Sequence, residues 1–162
     1  MKLHQSFRQS HPGGLVTSCR KEECRLQLDV GPKAELTVID CDRCQGGGIQ
    51  RGKICDYFVV LSDGRASSLF VIEMKSGAAD MSHALGQLQA GCDWVARLAG
   101  SDEVEWCYPL LLTGRGGHAA EIKVLRNRRV TFKGKKLFVV RERCGSSLTQ
   151  VIERNKMGCR LK

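Results

Sequence analysis

The sequence predicts an α/β domain on a mixed central sheet. Three observations carry this. Apolar, β-branched runs follow one another at 35–41, 54–61 and 68–75; an amphipathic helical pattern covers 82–98; and a further apolar run, WCYPLLLT, comes at 106–113. Consecutive strands, then a crossover helix, then another strand imply a three-strand meander joined to a further strand, with helices on its faces. At 162 residues, with 42% apolar and 27% charged residues, the chain suits one folded domain, 1–162.

Residues 1–14 end in Pro12-Gly13-Gly14 and are expected to be flexible. Residues 15–30 are ambiguous, with Lys21 to Leu28 readable as a short helix or a strand. Glu35 to Cys41, ELTVIDC, is the first strand by its β-branched residues. A loop with Gly46-Gly47-Gly48 follows. Ile54 to Leu61 and Ser68 to Lys75 are the second and third strands, joined by the turn Ser62-Asp63-Gly64-Arg65. Ser82 to Leu98 is a helix through the stripe Ala84, Leu85, Leu88, Trp94, Val95 and Leu98, with Ser82 as cap and Gly100 as stop. Trp106 to Thr113 is a buried strand and His118 to Arg126 a short helix. Arg129 to Lys133 and Lys136 to Arg141 make a C-terminal β-hairpin around Gly134. Leu148 to Arg154 closes the chain as a helix.

The hairpin CDYFVVLSDGRASSLFVIEMKSG carries charge where apolar residues dominate. A turn centred between Gly64 and Arg65 sets Asp56 opposite Glu73. Opposed residues have Cβ atoms about 4.5–5.5 Å apart. Lys75, two residues beyond Glu73, projects from the same face. Two carboxylates that close repel unless one is protonated or a cation lies between them. A hard divalent ion such as Mg²⁺ or Mn²⁺ takes one or two carboxylates, water and substrate phosphate. Beside such an ion, Lys75 can hydrogen-bond an attacking water and neutralise charge developing on a phosphate. The set suits metal-assisted hydrolysis of a phosphodiester. The other reading of these residues is a strand-end Glu and Lys in solvent.

Asp56, the motif Glu73-Met74-Lys75 and the following helix with Gln87 resemble the PD-(D/E)XK nuclease superfamily, from about Asp40 to Arg97. The resemblance implies a restriction-endonuclease-like core of helix, three strands, helix and strand, with Lys21 to Leu28 as the opening helix. It implies that Asp56, Glu73 and the carbonyl of Met74 bind metal, that Lys75 positions water, and that Gln87 lies at the site. Some members carry a Glu on the opening helix, a role open to Glu22 or Glu23. The chain departs from the pattern in having Cys55 before Asp56, where proline is common, and no Tyr in register with Gln87 or Gln89. The expected activity is a Mg²⁺-dependent endonuclease, with DNA favoured over RNA. A non-catalytic nucleic-acid-binding module and a Zn-stapled protein-interaction domain on the same fold are the alternatives.

The net charge of +9 favours a polyanionic partner, although solubility alone would also account for it. The excess is uneven: KVLRNRRVTFKGKKLFVVRER, from Lys123 to Arg143, has Glu142 as its one acid. Lys123, Arg126, Arg128, Arg129, Lys133, Lys135 and Lys136 are the candidate phosphate contacts. Phe132 and Phe138 either stack on bases or pack inward. With no obvious target-recognition domain, specificity is expected from a homodimer or a partner protein. Gly114, Gly116 and Gly117, before His118, read either as a phosphate-approach loop or as a flexible turn. His83, at the helix start, reads either as a surface residue or as a residue that approaches the site.

No apolar run approaches the roughly 18–20 residues that span a bilayer, and the N-terminus shows no signal-peptide core, so a cytoplasmic protein with no membrane partner is expected. Nine cysteines in that compartment are not expected to form a disulfide framework. Cys41 and Cys44 have metal-knuckle spacing, and Cys19 with Cys24 would complete a structural Zn²⁺ site; free thiols are the default. Cys55, Cys92 and Cys107 read as core.

Overall fold

In the computed structural model every residue is described except 1, 45, 47, 51, 65, 77–79, 102–103, 115–118 and 162, together with the side chains of Lys2 and Ala119. In chain order the elements are α1 (Lys2–Ser10), β1 (Leu15–Val16), β2 (Cys19–Lys21), β3 (Cys24–Leu26), β4 (Glu35–Asp40), β5 (Tyr57–Ser62), β6 (Ser67–Lys75) and α2 (Met81–Ala99). They continue as β7 (Trp106–Thr113), α3 (Ala119–Asn127), β8 (Arg129–Phe132), β9 (Lys135–Phe138), β10 (Val140–Arg143) and α4 (Leu148–Asn155).

Six strands form one mixed sheet in the order β1-β4-β5-β6-β7-β10. The strands from β1 to β6 pair antiparallel, whereas β6, β7 and β10 run parallel. Parallel neighbours need a crossover. Helix α2 supplies the first, and α3 with the β8–β9 hairpin supplies the second. The molecule is thus α/β, with a central mixed sheet flanked by helices and a C-terminal hairpin. Among the described residues no helix is long and apolar enough to cross a membrane.

Strand alternation sorts side chains into two core layers. Leu69 and Val71 of β6 face α2, alongside Phe58, Leu88 and Trp94. Phe70, Ile72 and Met74 face the opposite layer with Val59, Tyr108 and Val151. By the same alternation Glu73 falls on the α2 face. Helix α2 is capped by Asp80, whose Oδ1 accepts from His83 N–H, rather than by Ser82. It ends at Gly100, where a φ of 52° favours a residue without Cβ.

Several sequence expectations need correction. The N-terminal segment expected to be flexible is largely helical. Leu3 and Phe7, four residues apart, share one face and are fully buried. Phe7 packs 5.7 Å from the Phe58 ring and 6.0 Å from that of Trp94. His4 bonds Thr37 Oγ1 at 2.8 Å and Ser62 Oγ at 2.9 Å, which ties α1 to β4 and β5. Lys21 to Leu28 is no helix. Instead β2 and β3 form a short hairpin in which Lys21 pairs with Cys24. The expected strand from Lys136 to Arg141 is broken at Val139, so that β9 stays with β8 while β10 joins β7. The loop position Gly47 and the turn position Arg65 lie outside the described residues.

A disulfide joins Cys24 to Cys144 across 120 residues of sequence. It removes Cys24 from any zinc set. Cys19 packs in the layer of Leu26 and Val59, whereas Cys41 packs in the layer of Phe58 and Trp94, with Cys44 against it. Burial pushes the Cys44 thiol up to about 12, which disfavours the thiolate a metal needs. The four cysteines therefore do not gather as a Zn²⁺ site. Cys55, Cys92 and Cys107 are buried free thiols, as their places in predicted elements suggested.

Candidate active site

The β5–β6 ladder runs from Tyr57 opposite Ile72 to Ser62 opposite Ser67. One further step in that register brings Asp56 across from Glu73, the relation implied by a turn centred at Gly64 and Arg65. Asp56 precedes β5, and its N–H donates to the Ile72 carbonyl at 2.8 Å. Its side chain turns back onto β6, where Met74 N–H donates to Oδ2 at 2.7 Å. That contact fixes the carboxylate and leaves Oδ1 for another partner. The partner is Lys21, whose Nζ lies 2.5 Å away.

Glu73 is fully buried. Lys75 Nζ approaches Oε1 to 2.8 Å as an ion pair. Glu73 Oε2 has no hydrogen-bond partner among the described residues. Lys75 also donates to Gln87 Oε1 at 3.3 Å, and Gln87 Nε2 reaches the Ile54 carbonyl at 3.5 Å. Gln87 is held on the buried face of α2 and so fixes where the ammonium can point.

Burial raises the Glu73 carboxyl to about 7, and the Asp56 charge adds to this, against the pull of Lys75 and Lys21. For Lys21, burial lowers proton affinity, but the hydrogen bond and charge of Asp56 outweigh it and the pKa is raised. A buried carboxylate with unsatisfied oxygens is stable only when protonated or beside a cation. Among the described residues no cluster of three or more His, Cys, Asp or Glu side chains could hold a metal. The two carboxylates alone, with backbone carbonyl and water, still meet what a hard divalent ion asks of a protein.

Sequence reasoning missed Lys21. It arrives on the tip of the β2–β3 hairpin, with Glu22 at a φ of 53° in the turn. Glu22 Oε2 accepts from the Ser76 hydroxyl at 2.6 Å, just past Lys75. One of the two acids considered for an opening-helix role thus reaches the strand end from a hairpin instead. The hint in the sequence was a run of four charged residues, Arg20 to Glu23, between Cys19 and Cys24.

The seven basic candidates are exposed. Lys123 and Arg126 are on α3, and Arg128 follows it. Arg129 stacks its guanidinium 3.4 Å from the centre of the Phe138 ring. Lys133 Nζ donates to the Gly100 carbonyl, at the far end of α2 from the carboxylates. Lys135 and Lys136 are on β9, opposite Phe132 and Thr131. Phe132 is fully buried, while Phe138 is 48% exposed. His83 is exposed on α2. Gly114 N–H donates to the Lys75 carbonyl at 2.8 Å, but Gly116, Gly117 and His118 lie outside the described residues.

Compared with family models, curated proteins and solved structures, the chain matches none.

Proposed function

We propose that the chain is a metal-dependent nuclease that hydrolyses phosphodiester bonds of nucleic acid, with DNA ahead of RNA. The observation that carries this reading is Glu73, fully buried on a strand end across from Asp56, with Oε1 against the Lys75 ammonium and Oε2 without a hydrogen-bond partner among the described residues. An apolar residue would stabilise that position better unless the charge is used. The element order supports the PD-(D/E)XK resemblance. Helix α1, the β4–β5–β6 meander, α2 and β7 follow the sequence of helix, three strands, helix and strand that it implies, with α1 in the opening position.

Asp56, Glu73 and the Met74 carbonyl would hold Mg²⁺ or Mn²⁺. The ion, when bound, supplies Lewis acidity and lowers the pKa of a bound water. Met74 N–H holds Asp56 Oδ2, so that Oδ1 is the oxygen offered. Lys75, steadied by Gln87, donates to the attacking water or to a phosphate oxygen. Lys21 gives up Asp56 Oδ1 and is then free to neutralise phosphate charge. Specificity would come from a second copy or a partner protein.

Cleavage of single- and double-stranded DNA and RNA in Mg²⁺, Mn²⁺ or EDTA tests this. Metal-dependent cleavage lost in Glu73→Ala and in Lys75→Ala is the expected result. A second reading, a non-catalytic nucleic-acid-binding module, is favoured by the pairing of Lys21 with Asp56 and Lys75 with Glu73, a four-charge set that is neutral by itself. Nucleic-acid binding with no cleavage under any metal condition would select it.

A further inference from the structure

A cleft lies at the C-terminal ends of the parallel strands β7 and β10. It encloses about 880 Å³, within the range of small-ligand sites. Four arginines line it: Arg126 from α3, Arg141 and Arg143 from β10, and Arg154 from α4. Ile122, Leu125, Phe138 and Val139 form an apolar wall. Its one acid, Glu142, is engaged by Arg154 at 3.0 Å and Asn155 at 3.3 Å. Arg126, Arg141 and Arg143 are the other three arginines of the lining. Arg141 Nε is buried and meets no acceptor among the described residues, a donor whose desolvation is uncompensated.

The sheet register connects this cleft to the carboxylates. Glu73 lies beside Leu111, and Leu111 beside Arg141; Lys75 lies beside Thr113, and Thr113 beside Arg143. Register partners in a parallel sheet point to the same face. Two rows therefore run across one face from the carboxylate site to the arginines. Arg143 is two strand spacings from Lys75, about 10 Å. Cys144 N–H donates to the Thr113 carbonyl at 3.0 Å, which holds the cleft floor to β7.

We infer that this cleft is a nucleotide-binding subsite. Arg126, Arg141 and Arg143 take a phosphate, and a base lies against the apolar wall. Arginine forks match phosphate oxygens in pairs, and flat apolar surface suits a base and not a carboxylate side chain. An acidic peptide would use the charge but leave the wall uncovered. The inference rests on the nuclease reading only for the identity of the ligand: the strand cut at Lys75 would continue into the cleft.

The test is binding of a fluorescent ten-residue deoxythymidine oligonucleotide to the full chain in EDTA, where cleavage is off. Wild type and Lys33→Ala are expected to bind alike. Arg126→Ala and Arg143→Ala, both at exposed positions, are expected to weaken binding about tenfold or more each and to lower the dependence on salt by about one phosphate contact. Equal binding by the arginine variants, no binding by wild type, or equally tight binding of polyglutamate would overturn the subsite. Cleavage measured in parallel separates the two ideas. Arginine-dependent binding without cleavage leaves the subsite standing and removes the nuclease. Cleavage with arginine-independent binding does the reverse.

Discussion

Lys21 Nζ lies 2.5 Å from Asp56 Oδ1, so the hairpin of β2 and β3 places an ammonium against the carboxylate oxygen that Met74 leaves open. A cation is therefore already present where a metal would bind, and the two should compete. Lys21→Met is expected to destabilise the metal-free protein by only about 1 kcal/mol, because the lysine is 39% exposed and solvent screens the pair. In Mn²⁺ the variant should gain more than wild type, because no ammonium has to leave. Melting temperatures in EDTA and in rising Mn²⁺ check this. A metal-induced rise no larger than that of wild type would show that Lys21 does not guard the site.

Glu73 gives the protein a pH dependence with a defined sign. Its carboxyl is raised from 4.5 to about 7 in the folded state, by burial first and the Asp56 charge second. Between those values the folded chain holds a proton that the unfolded chain has lost. The folded state is therefore favoured most at low pH, and stability falls as pH rises toward about 7. The fall attributable to this group is on the order of 3 kcal/mol. Glu73→Gln has no proton to release. Urea unfolding of both proteins between pH 4.5 and 8 in EDTA should give curves that diverge across this window, the variant gaining on wild type as pH rises. Parallel curves would mean that Glu73 is ionised throughout.

The same local rules explain what could be read from the sequence and what could not. Asp56, Glu73 and Lys75 were legible because each position follows from strand alternation or hairpin register over a short span, whereas Gln87 was a candidate only through the family resemblance. Lys21 was not, because a pair of three-residue strands has almost no pattern, and its place depends on a disulfide partner 120 residues away. The opening helix was hidden because Leu3, His4 and Phe7 are few among Gln, Ser and Arg. Its stability comes from the aromatic contacts with Phe58 and Trp94 rather than from propensity. The split at Val139 was invisible for a similar reason: LFVV reads as one strand, and only the pull of β7 on β10 divides it.

The Cys24–Cys144 bond ties the Lys21 hairpin to the turn after β10. Closing a loop of this length restricts the unfolded chain by about 4–5 kcal/mol in the chain-entropy picture, and single disulfides typically give about 2–4 kcal/mol. Cys144→Ser should lower unfolding stability by about that amount. Reductant should lower wild type to the same level and leave the variant unchanged. Denaturation with and without dithiothreitol distinguishes this from a side-chain effect, since a stability loss insensitive to reductant in wild type would show that the thiols are not bonded.

Gly91 sets how closely α2 approaches the strands that carry Asp56 and Glu73. A Cβ there would lie 2.6 Å from Cys55 Sγ and 2.7 Å from Val71 Cγ1. Both neighbours are fully packed, so the helix or the strand must shift. Alanine gains about 1 kcal/mol of helix propensity, but overpacking of a filled core costs about 1–3 kcal/mol. Gly91→Ala should therefore be neutral to destabilising by about 2 kcal/mol. Because the shift would move Gln87 relative to Lys75, metal-dependent cleavage should fall as well. Gly86, on the same helix, has nothing within 4 Å of its would-be Cβ, so Gly86→Ala keeps the propensity gain alone and should stabilise by up to about 1 kcal/mol. Melting both variants beside wild type checks the packing. If Gly91→Ala stabilises as much as Gly86→Ala, α2 does not press on the strands at Cys55 and Val71, and the position of Gln87 is set elsewhere.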